Sequence, residues 1–127
     1  MAKILVVDDD APLRRIIQRH LESGGHTVVE ASNGKEGFVL FARERPDLVI
    51  LDMFMPVMDG YETIRTIRAV DPSATIIATS GGGKYHLDVL EGLEALGVAA
   101  TLPKPFEREH LLRTVTRLLA PPPAASP

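Results

Sequence analysis

The chain has 127 residues, enough for one domain and too few for two well-packed cores. Hydrophobic residues at 45% and charged residues at 24% exclude a disordered chain, and the lack of cysteine excludes disulfides, thiol catalysis and thiolate zinc sites. A net charge of -3 argues against direct nucleic-acid binding. No apolar run reaches the ~20 residues of a membrane helix, and Met1–Ile4 has no signal-peptide design, so no membrane contact and a cytoplasmic location are expected.

Two hydrophobic patterns alternate along the chain. Ile4–Val7 is continuously apolar, as a strand buried on both faces should be, and is followed by Asp8, Asp9 and Asp10. Leu13, Ile16, Ile17 and Leu21 then form a helical stripe, with Arg14, Arg15 and Arg19 off it as a solvated face. Ser23-Gly24-Gly25 ends this helix; Thr27–Val29 is the second strand, trailed by Glu30 and Ala31. Asn33-Gly34 precedes a second helix marked by Phe38 and Phe41, and Pro46 stops it. Leu48–Leu51 is the third strand, ending at Asp52. Asp59-Gly60 opens a helix carrying Ile64 and Ile67, which Asp71-Pro72 closes. Thr75–Ala78 is the fourth strand, followed by Thr79 and Ser80. Leu87, Leu90 and Leu93 mark a fourth helix before Gly97. Val98–Leu102 is the fifth strand, followed by Lys104, and Leu111, Leu112, Val115 and Leu119 mark a last helix. Pro121–Pro127 is Pro/Ala-rich and reads as a disordered tail or the start of a linker.

Five strand–helix repeats imply an α/β fold, a (βα)5 doubly wound parallel sheet with helices on both faces. Right-handed crossovers bring every strand's carboxyl end to one rim. In the order 2-1-3-4-5 the strand order reverses between strands one and three, where ligands of such sheets bind. Asp8, Asp9 and Asp52 would meet there, with Ser80 and Lys104 nearby; Asp10, just before Pro12, suits a helix cap better than a ligand. Two like charges 4 Å apart repel by about 1 kcal/mol in water and about 4 kcal/mol at an effective dielectric of 20. Three carboxylates against one lysine therefore call for a cation. All-oxygen donors in an open cleft favour Mg²⁺. Asp52 is placed as a nucleophile that could form an aspartyl phosphate, with Lys104 and Ser80 to stabilise phosphoryl oxygens.

These residues resemble a known family. Ile4-Leu5-Val6-Val7-Asp8-Asp9, Leu51-Asp52-Met53-Phe54-Met55-Pro56 with Met58-Asp59-Gly60, Thr79-Ser80-Gly81 and Lys104-Pro105-Phe106 look like the response-regulator receiver domain, the CheY-like module of two-component signalling. The resemblance covers residues 1–119, with 120–127 as tail or linker stub, and agrees with the flavodoxin/CheY-like strand order. It implies that Asp52 receives a phosphoryl group from a phosphohistidine on a sensor histidine kinase or phosphotransfer protein. It also implies that Asp8, Asp9, Asp52 and the backbone carbonyl of Phe54 hold Mg²⁺. Ser80 and Lys104 would engage the phosphoryl group, and the Lys104–Pro105 bond would be cis. The implied protein is a signalling switch rather than an enzyme, a monomer or a weak phosphorylation-dependent dimer, read by an unknown output partner or domain. A receiver-like module that binds partners without phosphorylation is the alternative.

The chain departs from the family pattern at Thr101, where Tyr or Phe is usual three residues before the lysine, so Tyr85 or His86 are candidates for a replacement. Phe54 is large and apolar beside the phosphoryl position, where it would restrict water, and Gly81-Gly82-Gly83 offers a hinge. An FMN carrier is disfavoured because Asp8-Asp9-Asp10 would repel its phosphate. A haloacid-dehalogenase-type phosphatase is disfavoured because Phe54 stands where its acid/base Asp would be.

Overall fold

Alternation along each strand decides which layer its side chains enter. In β1 (Lys3–Val7), Leu5 and Val7 join one core while Ile4 and Val6 join the other. β3 (Leu48–Asp52) divides the same way, Val49 and Leu51 against Leu48 and Ile50. The computed structural model describes residues 1–81, 92–93 and 95–120. Among these, five parallel strands run in the order β2-β1-β3-β4-β5, with β2 at Thr27–Ala31, β4 at Ile76–Gly81 and β5 at Ala100–Lys104.

Four helices are described: α1 (Ala11–Ser23), α2 (Gly34–Glu44), α3 (Gly60–Val70) and α4 (Arg108–Leu119). One face of the sheet is covered by Phe41 of α2 with Ile64 and Ile67 of α3. The other is covered by Ile17 and Leu21 of α1 with Leu111 and Val115 of α4. Of the residues that mark the predicted helix between strands four and five, Leu87 and Leu90 lie outside the described residues. Leu93 is buried against the α2–α3 layer. Tyr85, His86, Gly82, Gly83 and the segment 121–127 also lie outside them.

The cap expected at Asp10 forms, and the turns before the next two helices supply caps of the same kind. Asp10, Asn33 and Asp59 each accept a backbone N–H in the first turn of α1, α2 and α3, from Leu13, Glu36 and Glu62 at 3.1, 2.9 and 2.9 Å. Gly60 is required by close approach, since a Cβ there would stand 2.6 Å from Met53 Cα and 2.9 Å from the Asp52 carbonyl oxygen. This seats the start of α3 directly on the end of β3.

Two expectations change. Strands run further into polar sequence than hydrophobicity suggested: Asp52 pairs with Thr79, Ser80 with Pro103 and Gly81 with Lys104. Those functional candidates are strand residues, held by ladder hydrogen bonds, rather than loop residues. Pro103 is accommodated because β5 is an edge strand. On α1, Ile16 is 48% exposed while Arg14 is half-buried, so the helix is rotated relative to the predicted stripe.

At the amino ends of β4 and β5, Arg68 of α3 acts as a clamp. Its guanidinium donates to the carbonyls of Leu96 (3.3 Å), Pro72 (3.0 Å), Gly97 (2.7 Å) and Ala74. One side chain thereby joins the loops that lead into both strands.

Candidate metal centre

Residues at the carboxyl ends of β1, β3 and β5 converge on one rim. Strand alternation places Asp8, Asp52 and Lys104 on the α1–α4 side, continuing the series Ile4, Val6 and Leu48, Ile50 and Ala100, Leu102. Asp8 and Asp52 are only 2% and 4% exposed, whereas Asp9 is open to solvent. One carboxylate oxygen from each of Asp8, Asp9 and Asp52 lies within 4.8 Å of the others. Asp10 stands apart as the cap of α1, as expected.

Lys104 is the cation that answers this cluster. Its Nζ lies 3.0 Å from Asp8 Oδ2 and 3.4 Å from Asp52 Oδ2. Asp8 Oδ1 accepts the Asp10 N–H at 2.8 Å, and Asp52 Oδ1 accepts the Phe54 N–H at 3.2 Å. Burial pushes the Asp52 carboxyl above the usual range, and Asp8 adds to this; Lys104 and the Phe54 amide oppose it without cancelling it. For Lys104, burial favours the neutral amine, but the carboxylates of Asp52 and Asp8 outweigh it and raise the ammonium's pKa. The site is thus short of positive charge: three carboxylates meet one ammonium. Hard oxygen donors with that imbalance fit a small divalent cation such as Mg²⁺.

The Lys104–Pro105 peptide is cis, as expected. Ser80 is 4% exposed and sits in β4 one residue past Thr79. Alternation points the two hydroxyl residues to opposite faces of the sheet. Thr79 Oγ1 is buried with no hydrogen-bond partner among the described residues. Phe54 contributes its backbone N–H, but its side chain is 56% exposed and points away from burial. Beyond it Val57, at φ 74 and 78% exposed, occupies a left-handed conformation that β-branched residues rarely adopt. Thr101, at the position where an aromatic was missed, is half-buried in β5.

Two residues at this rim escaped the sequence reading. Arg14 Nε donates to Glu30 Oε1 at 3.0 Å, and its Nη1 donates to the backbone carbonyl of Asp8 at 2.7 Å. Arg14 is therefore not part of a solvated arginine face, and Glu30 is not an idle strand end. A reversed charge sixteen residues on was the available signal, but only the fold shows that the two meet.

The sequence matches the family described as "Response regulator receiver domain" over residues 4–116. The chain belongs to that family. This receiver domain is 31% identical to the chemotaxis protein CheY4 of Vibrio cholerae, with a TM-score of 0.85 over 92% of this chain and 98% of that one. It is 38% identical over 117 residues to "Response regulator MprA" of Mycolicibacterium vanbaalenii, covering 92% of this chain and 50% of the relative. It is 41% identical over 118 residues to "Probable transcriptional regulator ycf27" of Porphyra purpurea, covering 91% and 47%. The receiver domain thus spans about half the length of the curated relatives it matches.

One expectation fails against these relatives. Direct nucleic-acid binding was excluded on net charge, yet relatives 41% identical over 91% of this chain are named as probable transcriptional regulators. The charge of -3 describes the surface of these 127 residues and says nothing of the other half of such proteins. Among the described residues, no helix is long and apolar enough to cross a membrane.

Proposed function

We propose that this receiver domain is a phosphorylation-switched signalling module whose phosphoacceptor is Asp52. The carrying observation is the buried Asp52 carboxylate, 3.4 Å from the Lys104 ammonium and clustered with Asp8 and Asp9. A carboxylate oxygen of Asp52 attacks the phosphorus of a phosphohistidine on a sensor histidine kinase or phosphotransfer protein. The P–N bond breaks and the imidazole leaves with its electron pair. Lys104 lies where it can pair with an equatorial phosphoryl oxygen, and the Ser80 hydroxyl is in the adjoining strand to donate to another. Asp8, Asp9, Asp52 and the Phe54 carbonyl would hold Mg²⁺, which supplies positive charge to the phosphoryl oxygens when bound.

The product is a covalent state of the domain itself, so the domain is a switch and not an enzyme turning over an external substrate. The phosphoryl group acts by preferring one of two shapes of the partner-binding face. Names and lengths of the relatives support an output in transcription, carried by chain beyond the receiver domain. A cytoplasmic location follows from the need to meet a kinase's phosphohistidine.

Incubation with Mg²⁺ and acetyl phosphate, read by intact mass, is expected to give one phosphoryl adduct that Asp52→Ala abolishes. No adduct, together with no ¹⁹F signal from bound beryllofluoride, would instead establish a binding module that signals without phosphorylation. Thr101 in place of the usual aromatic is the observation that favours this second reading.

A further inference from the structure

Asp9 is the exposed member of the acidic cluster, and among the described residues no hydrogen bond or ion pair holds its carboxylate. Its direction is therefore set by the backbone on either side. On the carboxyl side, Asp10 is fixed twice, by its N–H to Asp8 Oδ1 and by its own capping of α1. On the amino side, Asp8 lies one residue past Val7, the last residue of β1 to pair with β2. Its N–H still reaches the Ala31 carbonyl at 3.1 Å. The carbonyl of the Asp8–Asp9 peptide has Arg14 instead, through Nη1 at 2.7 Å.

We infer that Arg14, braced by Glu30, is a positioning residue that aims Asp9 at the metal. This rests on the Mg²⁺ reading above. The guanidinium is a rigid fork, so one nitrogen can grip the Asp8 carbonyl while another is anchored on Glu30 Oε1 at 3.0 Å. The pair is half-buried, with side chains 17% and 30% exposed, which limits competition from water. A lysine keeps the charge but has no two nitrogens in fixed relation. Glu30 also neutralises a cation that would otherwise stand close to a divalent ion, so the brace orients without repelling.

The sign of one effect separates this role from simple electrostatics. If Arg14 acted only through its charge, removing it would tighten Mg²⁺ binding. If it aims Asp9, removing it weakens binding. The test is Mg²⁺ titration of the full chain, followed by ¹⁵N–¹H NMR at the Asp9 and Asp10 amides, for wild type, Arg14→Met, Arg14→Lys and Glu30→Gln. Arg14→Met is expected to weaken Mg²⁺ about tenfold, the low end for loss of a group that orients a ligand, and to move the Asp9 amide before metal is added. Arg14→Lys fails to restore affinity, and Glu30→Gln weakens it in the same direction by less. Glu30→Gln also removes a negative charge and weakens Mg²⁺ on either account. If Arg14→Met does not fold, the charge-keeping Arg14→Lys therefore decides the matter, through weakened Mg²⁺ binding and a shifted Asp9 amide before metal is added. Unchanged or tighter binding in these variants, or full rescue by lysine, overturns the role. Absence of saturable Mg²⁺ binding in wild type overturns the metal reading itself.

Discussion

The two ends of the sheet handle buried charge in opposite ways. At the amino ends of β4 and β5, Arg68 places one cation among four neutral carbonyls, four of its five N–H donors matched to an acceptor and, among the described residues, no carboxylate involved. At the carboxyl ends, three carboxylates cluster beside one lysine that pairs with only two of them, and those two are almost fully buried. Both arrangements link loops through charged groups. Only the first is complete in itself. The difference separates a charge that holds the fold from charges whose balance is left to something that binds, and that separation can be broken by mutation.

The largest effect is expected at the satisfied end. Arg68→Ala frees four carbonyls and should cost about 3 kcal/mol in urea denaturation, since hydrogen bonds to charged groups are worth about 1.5–3 kcal/mol each and some carbonyls can turn to water. Mg²⁺ affinity should not change; if it falls along with stability, the two ends are not independent. At the unsatisfied end the sign reverses. Asp52→Asn removes one of three like charges and should raise stability by about 2 kcal/mol without metal. Saturating Mg²⁺ should erase that gain, because it stabilises only the chain that binds it well. A loss of stability without metal would show that Lys104 already balances the cluster.

A smaller gain is expected from Thr79→Val. The variant keeps the β-branched shape and removes a buried hydroxyl that lacks a partner, worth about 1 kcal/mol. Destabilisation there would reveal an acceptor for Thr79 and extend the polar site inward. The smallest effect involves His26. Burial, and then the nearby amino-terminal charge, lower its pKa below 6.5, and Nδ1 accepts the Ala2 N–H at 3.3 Å. The unfolded chain then binds more protons than the folded one as pH drops. The stability that neutral His26 contributes is complete above about 6.5, the unfolded value, and is lost as pH falls through its depressed folded value. His26→Gln should flatten this part of the pH–stability curve measured by thermal melts, with little change at pH 8.

These residues also show what the sequence disclosed. The strand–helix alternation and the meeting of Asp8, Asp9, Asp52 and Lys104 were legible because apolar runs, caps and the crossover rule act locally or through topology. Asp10 was read as a cap because Pro12 and an apolar stripe follow it. The strand ends were not legible, since ladder pairing carries β3, β4 and β5 through residues that no hydrophobicity pattern would include. Arg14 with Glu30, and Arg68 with its carbonyls, were hidden for a different reason. Each depends on the rotation of a helix about its axis, and the exposed Ile16 shows how far a stripe can mislead about that angle. An orphaned hydroxyl such as Thr79 is visible only once its neighbours are placed.

Pro103 has a consequence for neighbours rather than for the site. β5 ends the sheet, so its outer edge offers backbone donors and acceptors to any extended chain that approaches. Proline has no N–H to offer, and the outer row is interrupted at that point. A second sheet cannot zip continuously onto this border. Copies of the domain can crowd together in a cell without templating one another into fibrils along β5, and any pairing of strand edges is left to β2 at the opposite border.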